Sequence, residues 1–368
     1  MLPYFKENYG NPSSIHRFGR ISTKAIDVAR KRIAELINAQ PNEILLTSGG
    51  TESNNTALFG IMRQNKGKQL ITSSIEHDAI LEPCKRLEKE GYSVGYLPVD
   101  GYGTVDVERL KDAITKKTVL VSIMYGNNEV GTIQPIKEIA KICKENNILF
   151  HSDAVQAIGK IPIDVKELGL DMLSISSHKI NGPKGIGALY IKTGVRIDPF
   201  ILGGGQERGL RSGTENVANI VGFGKACQLA KENLQKNAAY LSSLRDHLIK
   251  RVLTELSHTS LNGHKENRLP NNAHFTFLGV NGEDLIIKLD ENGIAASTGS
   301  ACSVKTQKAS HVLKAMGFSH EQITGSLRLS VGLTNTIEEI EKTVDVLKTV
   351  VSELRSVSPF KTKYGFAN

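Results

Sequence analysis

From residue 43 to residue 191 short apolar runs alternate with longer stretches whose apolar residues recur every three to four positions. The runs at 43–47, 69–73, 93–97, 118–124, 148–152, 171–175 and 186–191 read as strands, and the stretches at 79–90, 107–115 and 136–146 as helices. A further helix is expected over 21–37, where Ala25, Val28, Ala29, Ile33 and Leu36 make one stripe. Alternation of this kind predicts an α/β fold, with a mostly parallel central sheet and helices on both faces. The residues before it are turn formers without a period, so 1–20 read as an N-terminal arm.

Beyond residue 216 the pattern changes. A long helical region covers 217–236 and 238–256, followed by a polar insert at 256–272. Strands are then expected at 273–278, 294–297 and 326–330, and helices at 283–292, 310–316 and 337–356. This predicts a large domain over 1–257 and a smaller C-terminal α+β domain over 258–368.

In sheets of the first kind functional residues gather where strands end. Four expected strands end in polar residues: Glu76-His77, Asn127-Asn128-Glu129, His151 to Gln156, and Ser176 to Lys179. Lys179 lies in a polar, glycine-containing turn between two apolar runs, where lost hydration would make its amine a usable nucleophile or base. Ser48-Gly49-Gly50-Thr51 joins a strand to a helix and has two readings, an anion site on backbone N–H groups or a helix capped by Ser48 or Thr51. The glycine-rich stretch from Leu202 to Asn216 is either a surface loop or a second phosphate clamp with Arg211, Ser212 and Thr214.

Composition narrows the field. The 368 residues, 39% of them hydrophobic, bury a sizeable core, and no apolar run reaches membrane-spanning length. The formal charge of +8 is spread among acids without an aromatic–basic cluster, so direct nucleic-acid binding is not expected. With no signal peptide in evidence, a cytoplasmic location is the default. Cys84, Cys143, Cys227 and Cys302 form no metal-binding pair, and no metal is expected. Cys84, Cys143 and Cys227 sit in helical patterns, whereas Cys302 sits among small polar residues suited to a reactive thiol.

A reactive lysine, a strand-end aspartate and an anion site at a helix start are what pyridoxal 5'-phosphate requires. From Gly10-Asn11-Pro12-Ser13-Ser14 to the last helix the chain resembles the cysteine desulfurases of the NifS/IscS kind, fold-type I enzymes of the class V aminotransferase-like group. By that resemblance Lys179 in Ser-Ser-His-Lys is the Schiff-base lysine, with Ser176, His178, Gly50 and Thr51 around the phosphate. Asp153 partners the pyridine nitrogen, Gln156 and Asn128 contact the ring hydroxyl and the substrate side, and His77 stacks on the ring. Thr214 reaches a phosphate across a homodimer interface, Arg328 holds the substrate carboxylate, and Cys302 in Gly-Ser-Ala-Cys becomes the persulfide.

The implied activity converts L-cysteine to L-alanine and passes sulfur to an acceptor or iron–sulfur scaffold protein, for cluster assembly or tRNA thiolation. Two other readings compete: a different enzyme of the same cofactor group, such as an aminotransferase or selenocysteine lyase, and a non-catalytic sulfur-carrying partner. The family's usual opening strand, with an Asn-Ala-Thr-Thr-like motif, has no counterpart in Met1 to Tyr9. A shortened start or a more open substrate pocket is expected from that difference. The scaffold-binding tail of some members is also missing, which leaves the choice of acceptor open.

Overall fold

The apolar runs become seven strands of one sheet: β1 (Ile44–Thr47), β2 (Gln69–Ser73), β3 (Ser93–Leu97), β4 (Thr118–Ser122), β5 (Leu149–Asp153), β6 (Met172–Ser176) and β7 (Gly187–Ile191). This is a computed structural model, and it describes residues 1–299 and 309–366. The strand order is β1-β7-β6-β5-β4-β2-β3. The run from β3 through β2, β4 and β5 to β6 is parallel, while β7 is antiparallel to both β6 and β1. The mostly parallel sheet expected from the sequence is therefore present, with one reversed strand that a short turn after β6 makes possible.

Helices pack on this sheet through apolar faces. The helix Gly50–Met62 buries Ala57, Leu58, Ile61 and Met62 in a cluster with Leu45, Leu70, Leu120, Met172 and Leu189. The helix expected over 21–37 runs over Arg17–Leu36, because His16 Nδ1 accepts the Gly19 N–H and caps it one turn earlier.

β1 lies at an edge of the sheet, where unpaired backbone groups invite further strand pairing. Side chains close it. Arg30 and Arg208 donate to Ile44 O at 2.9 and 3.0 Å, and Glu207 Oε2 accepts the Leu46 N–H at 2.9 Å. Glu207 also takes two guanidinium bonds from Arg30, at 2.8 and 2.5 Å.

The chain divides into two units, Met1–Leu97 with Asp106–Tyr125 and Gln134–Leu234, and Pro98–Val105 with Gly126–Ile133 and Gln235–Asn368. The division falls inside one 39-residue helix, Val217–Glu255, which continues through the position where the sequence reading separated two helical stretches. The second unit contains an antiparallel sheet ordered β10-β9-β8, from β8 (Thr259–Asn262), β9 (Asn272–Phe277) and β10 (Ser326–Ser330). Its core joins Leu244, Leu248 and Val252 to Phe275, Phe277, Leu327, Val344 and Leu347.

Two local readings differ from the structure. β8 lies inside the stretch read as a polar insert, since Thr-Ser-Leu-Asn offers one apolar residue to any pattern. The strand expected at 294–297 is reduced to a bridge in which Ser297 and Arg328 exchange backbone bonds at 3.3 and 2.6 Å. Among the described residues no helix is long and apolar enough to cross a membrane.

Candidate active site

Lys179 stands on a single 3-10 turn, Ser177–Ile180, directly after β6. The turn is drawn tight at its far end by Asn181 in the left-handed region, φ 60°, and by the Gly182 N–H bonding back to Ser177 O at 3.0 Å. β7 then returns along β6 with Ser176 opposite Gly187. The lysine is where the sequence places it, but its side chain is exposed rather than enclosed. Packing within this chain therefore does not by itself strip its hydration.

Asp153 ends β5 and is buried. Oδ1 accepts the Val155 N–H at 2.9 Å and Oδ2 accepts Asn54 Nδ2 at 2.6 Å. Burial raises its pKa, and these hydrogen bonds with the charges of His77 and Lys179 offset that only in part. A buried carboxylate left short of positive charge is suited to a cationic ring nitrogen, which supplies both charge and an N–H. His77 caps the helix Asp78–Lys89, its Nδ1 accepting the Ala79 N–H at 3.0 Å. That bond turns Nε2 away from the helix end. Thr51 and His77 line one open cavity of about 470 Å³ with Asn55, Phe59 and Arg86.

At the start of the helix Gly50–Met62 neither Ser48 nor Thr51 is the cap. Gly49 holds that position and no side chain caps the helix, so its first N–H groups, at the positive end of the dipole, are left without a side-chain cap. The backbones are close here. A Cβ on Gly187 would stand 2.7 Å from Gly49 Cα, and one on Gly50 would stand 2.6 Å from Val155 Cγ2, so neither position admits a side chain without displacement. Ser176 Oγ and His178 Nδ1 are bonded at 2.9 Å beside this helix end. Partial burial, then the charges of Lys179, Lys184 and Lys160, hold His178 below its ordinary pKa. The Ser176 hydroxyl, the N–H groups of the helix start and the lysine charges that act on His178 suit a dianionic phosphate.

Lys160 donates to Gln156 O at 2.7 Å, and burial followed by the Lys179 charge pushes it down to about 7. Thr214 is exposed at the end of the glycine-rich loop. The same loop is tied down by Arg211, which bonds Glu52 at 2.9 Å. Burial opposes the charge on Glu52, but Arg211 and the bonds from Ser48 keep its carboxyl below the usual range.

In the second unit Arg328 Nη1 donates to Asn128 O at 2.8 Å, which fixes one prong of the guanidinium. Across β9 and β10 Arg328 faces His274, which burial, then Arg328 and Arg268, push down to about 3. That histidine is neutral, so it adds no competing cation beside the arginine. Cys302 lies outside the described residues. Cys84, Cys143 and Cys227 are buried free thiols, and burial raises the pKa of each. Asn54 and Glu207 were not singled out by sequence reasoning. Asn54 could have been found as a polar residue in line with Ala57, Leu58 and Ile61, three, four and seven positions on along its helix.

A family model described as aminotransferase class V matches residues 1–343. The chain belongs to the class V aminotransferases, enzymes that work with pyridoxal phosphate. It is 52% identical over 368 residues to the cysteine desulfurase IscS of Clostridium botulinum, covering 99% of this chain and 93% of that protein. A solved NifS-like protein superposes with a TM-score of 0.90 at 40% identity, over 96% of this chain and 94% of the other. A second structure, SspA in complex with cysteine, gives 0.80 at 38% identity, over 89% and 92%. Within its family the chain is a cysteine desulfurase.

Proposed function

We propose that this enzyme takes sulfur from L-cysteine, releases L-alanine and carries the sulfur on Cys302, with the residue roles set out below. The observation that carries the reading is the grouping of Asp153, His77 and Lys179 after β5, β2 and β6, close enough for the charges of His77 and Lys179 to act on Asp153. The bound cofactor supplies an electron sink for negative charge left on the substrate Cα.

The chain's own residues do the rest. Gly50, Thr51, Ser176 and His178 hold the phosphate, and Asp153 keeps the ring nitrogen protonated because its buried carboxylate favours a positive neighbour. Lys179 anchors the cofactor and moves the Cα proton, and its exposed side chain has room to swing. His77 packs on the ring and offers Nε2 for proton transfer. Gln156 and Asn128 orient the ring hydroxyl and the substrate side. Arg328 clamps the substrate carboxylate, which a planar two-pronged guanidinium does better than an ammonium. The Cys302 thiolate forms an S–S bond to the substrate sulfur as the Cβ–S bond breaks. The electron pair of that bond stays on carbon, which takes up a proton and leaves as alanine.

A homodimer in which Thr214 completes the partner's phosphate site is part of this reading. It is supported by the exposure of Thr214 and of Leu2, Phe5, Tyr9, Ile15 and Leu202. The acceptor is a sulfur-accepting or iron–sulfur scaffold protein, and the setting is the cytoplasm.

The test is to incubate the purified enzyme with cysteine and to measure alanine and protein-bound persulfide together. Both should form in the wild type, whereas Cys302→Ser should retain cofactor and make neither in quantity. Substantial alanine from that variant would mean that sulfur leaves by a route without Cys302.

A further inference from the structure

Glu76 is fully buried beside His77 and has no part in the chemistry above. The sheet explains where it sits. β2 and β4 stay paired as far as Thr72 and Ser122 and then part. On its other side the chain after β4 goes on bonding to β5, Ile123 N–H to His151 O at 3.1 Å and Tyr125 N–H to Asp153 O at 2.8 Å. Backbone groups alternate along an extended chain, so the Met124 N–H faces the gap that β2 has left. Glu76 Oε1 accepts it at 3.0 Å, and accepts the Ser73 hydroxyl at 2.5 Å. The side chain thus continues the ladder after the backbone has left it. The next residue, His77, begins the helix Asp78–Lys89.

The Asp153 charge, from β5, acts on this carboxyl, and the carboxyl in turn adds to the burial that raises the Cys84 thiol on the helix Asp78–Lys89. Two buried carboxylates that repel one another do not both ionise readily. We propose that Glu76 is a positioning residue that works uncharged: it pins the end of β4 and the His77 turn, and leaves Asp153 as the carboxylate that answers the cofactor nitrogen. The inference rests on the roles given above to Asp153 and His77. Burial, reinforced by Asp153 and opposed by the Ser73 and Met124 bonds, pushes Glu76 up to about 8, in keeping with an uncharged group at neutral pH.

The test compares Glu76→Gln and Glu76→Ala with the wild type, following thermal unfolding of the cofactor-free protein from pH 5 to pH 9 and pyridoxal phosphate affinity at pH 7. A carboxyl whose pKa is higher folded than unfolded stabilises the fold less as pH climbs from the unfolded value to the folded one. The wild type should therefore lose melting temperature relative to Glu76→Gln between about pH 5 and pH 8, and the gap should level off above that. Glu76→Gln should bind cofactor within about threefold of the wild type, because an amide mimics the uncharged carboxyl. Glu76→Ala, which leaves the Met124 N–H without this acceptor, should bind more than about tenfold more weakly. In an Asp153→Asn background the pH-dependent gap should move to lower pH, since the repelling charge is gone. A gap that stays flat across the range, or a Gln variant that binds as poorly as the Ala variant, overturns the proposal. Cofactor affinity in Asp153→Asn alone tests the assignment of Asp153 separately.

Discussion

Removing the Glu207 carboxylate should destabilise the large sheet far more than an ordinary loop substitution. The Glu207 side chain is 3% exposed and that of its partner Arg30 is 12% exposed. It accepts two guanidinium bonds and the Leu46 N–H, so Glu207→Ala leaves a cation nearly without solvent and an edge amide without an acceptor. Breaking such a pair from one side costs about 3–5 kcal/mol, against a total stability of about 5–15 kcal/mol for a typical protein. Glu207→Gln keeps an oxygen for Leu46 and should cost about half as much, near the 1.5–3 kcal/mol of a bond to a charged group. Replacing both partners, with Arg30→Met and Glu207→Leu, should be milder than Glu207→Ala, because no charge is then left stranded. Urea unfolding of the cofactor-free protein, read by circular dichroism, measures these differences, and light scattering reports pairing through the newly opened edge. A loss below about 1 kcal/mol in Glu207→Ala, or a double variant worse than the single, would refute the argument.

Three further outcomes are expected. Lys179→Ala should abolish turnover, and borohydride treatment should then leave no pyridoxyl mass on the peptide carrying position 179; normal turnover would remove the lysine from its role. Arg328→Lys should raise the Michaelis constant for cysteine about tenfold to a hundredfold while the resting cofactor spectrum stays as it was, the size expected for losing one charge-assisted prong. Unchanged cysteine affinity would contradict the clamp. Asn54→Ala should weaken cofactor binding by about tenfold, because Asp153 loses one of the bonds that support its charge; an unaltered dissociation constant would show that the Val155 amide suffices.

Much of the fold was legible because its strands are short, apolar and bounded by polar turns. The run ending at Ile175 and the return from Ile186 marked both sides of the lysine turn, and Gly49-Gly50 marked the helix start. What stayed hidden depends on contacts remote in sequence. Glu207 and Arg30 are 177 positions apart, and no local pattern links them. The value of Glu76 likewise comes from an amide 48 positions away, exposed only because β2 and β4 diverge. β8 was missed because its pairing with β9 supplies what its own composition lacks. The exposure of Lys179 was hidden for a different reason: a strand-end location fixes the backbone, while the hydration of a long side chain depends on everything packed around it.

The hairpin of β6 and β7 has a consequence for how the enzyme matures. Lys179 stands in a connection of ten residues between two buried strands paired with Ser176 opposite Gly187. Closing so short a segment costs little chain entropy. The amine should therefore be in place as soon as the hairpin docks on β5 and β1, ahead of any vitamin-derived group. On that account cofactor loading is expected to follow folding, and apoenzyme made under cofactor starvation should be a rescuable reserve rather than waste for proteolysis.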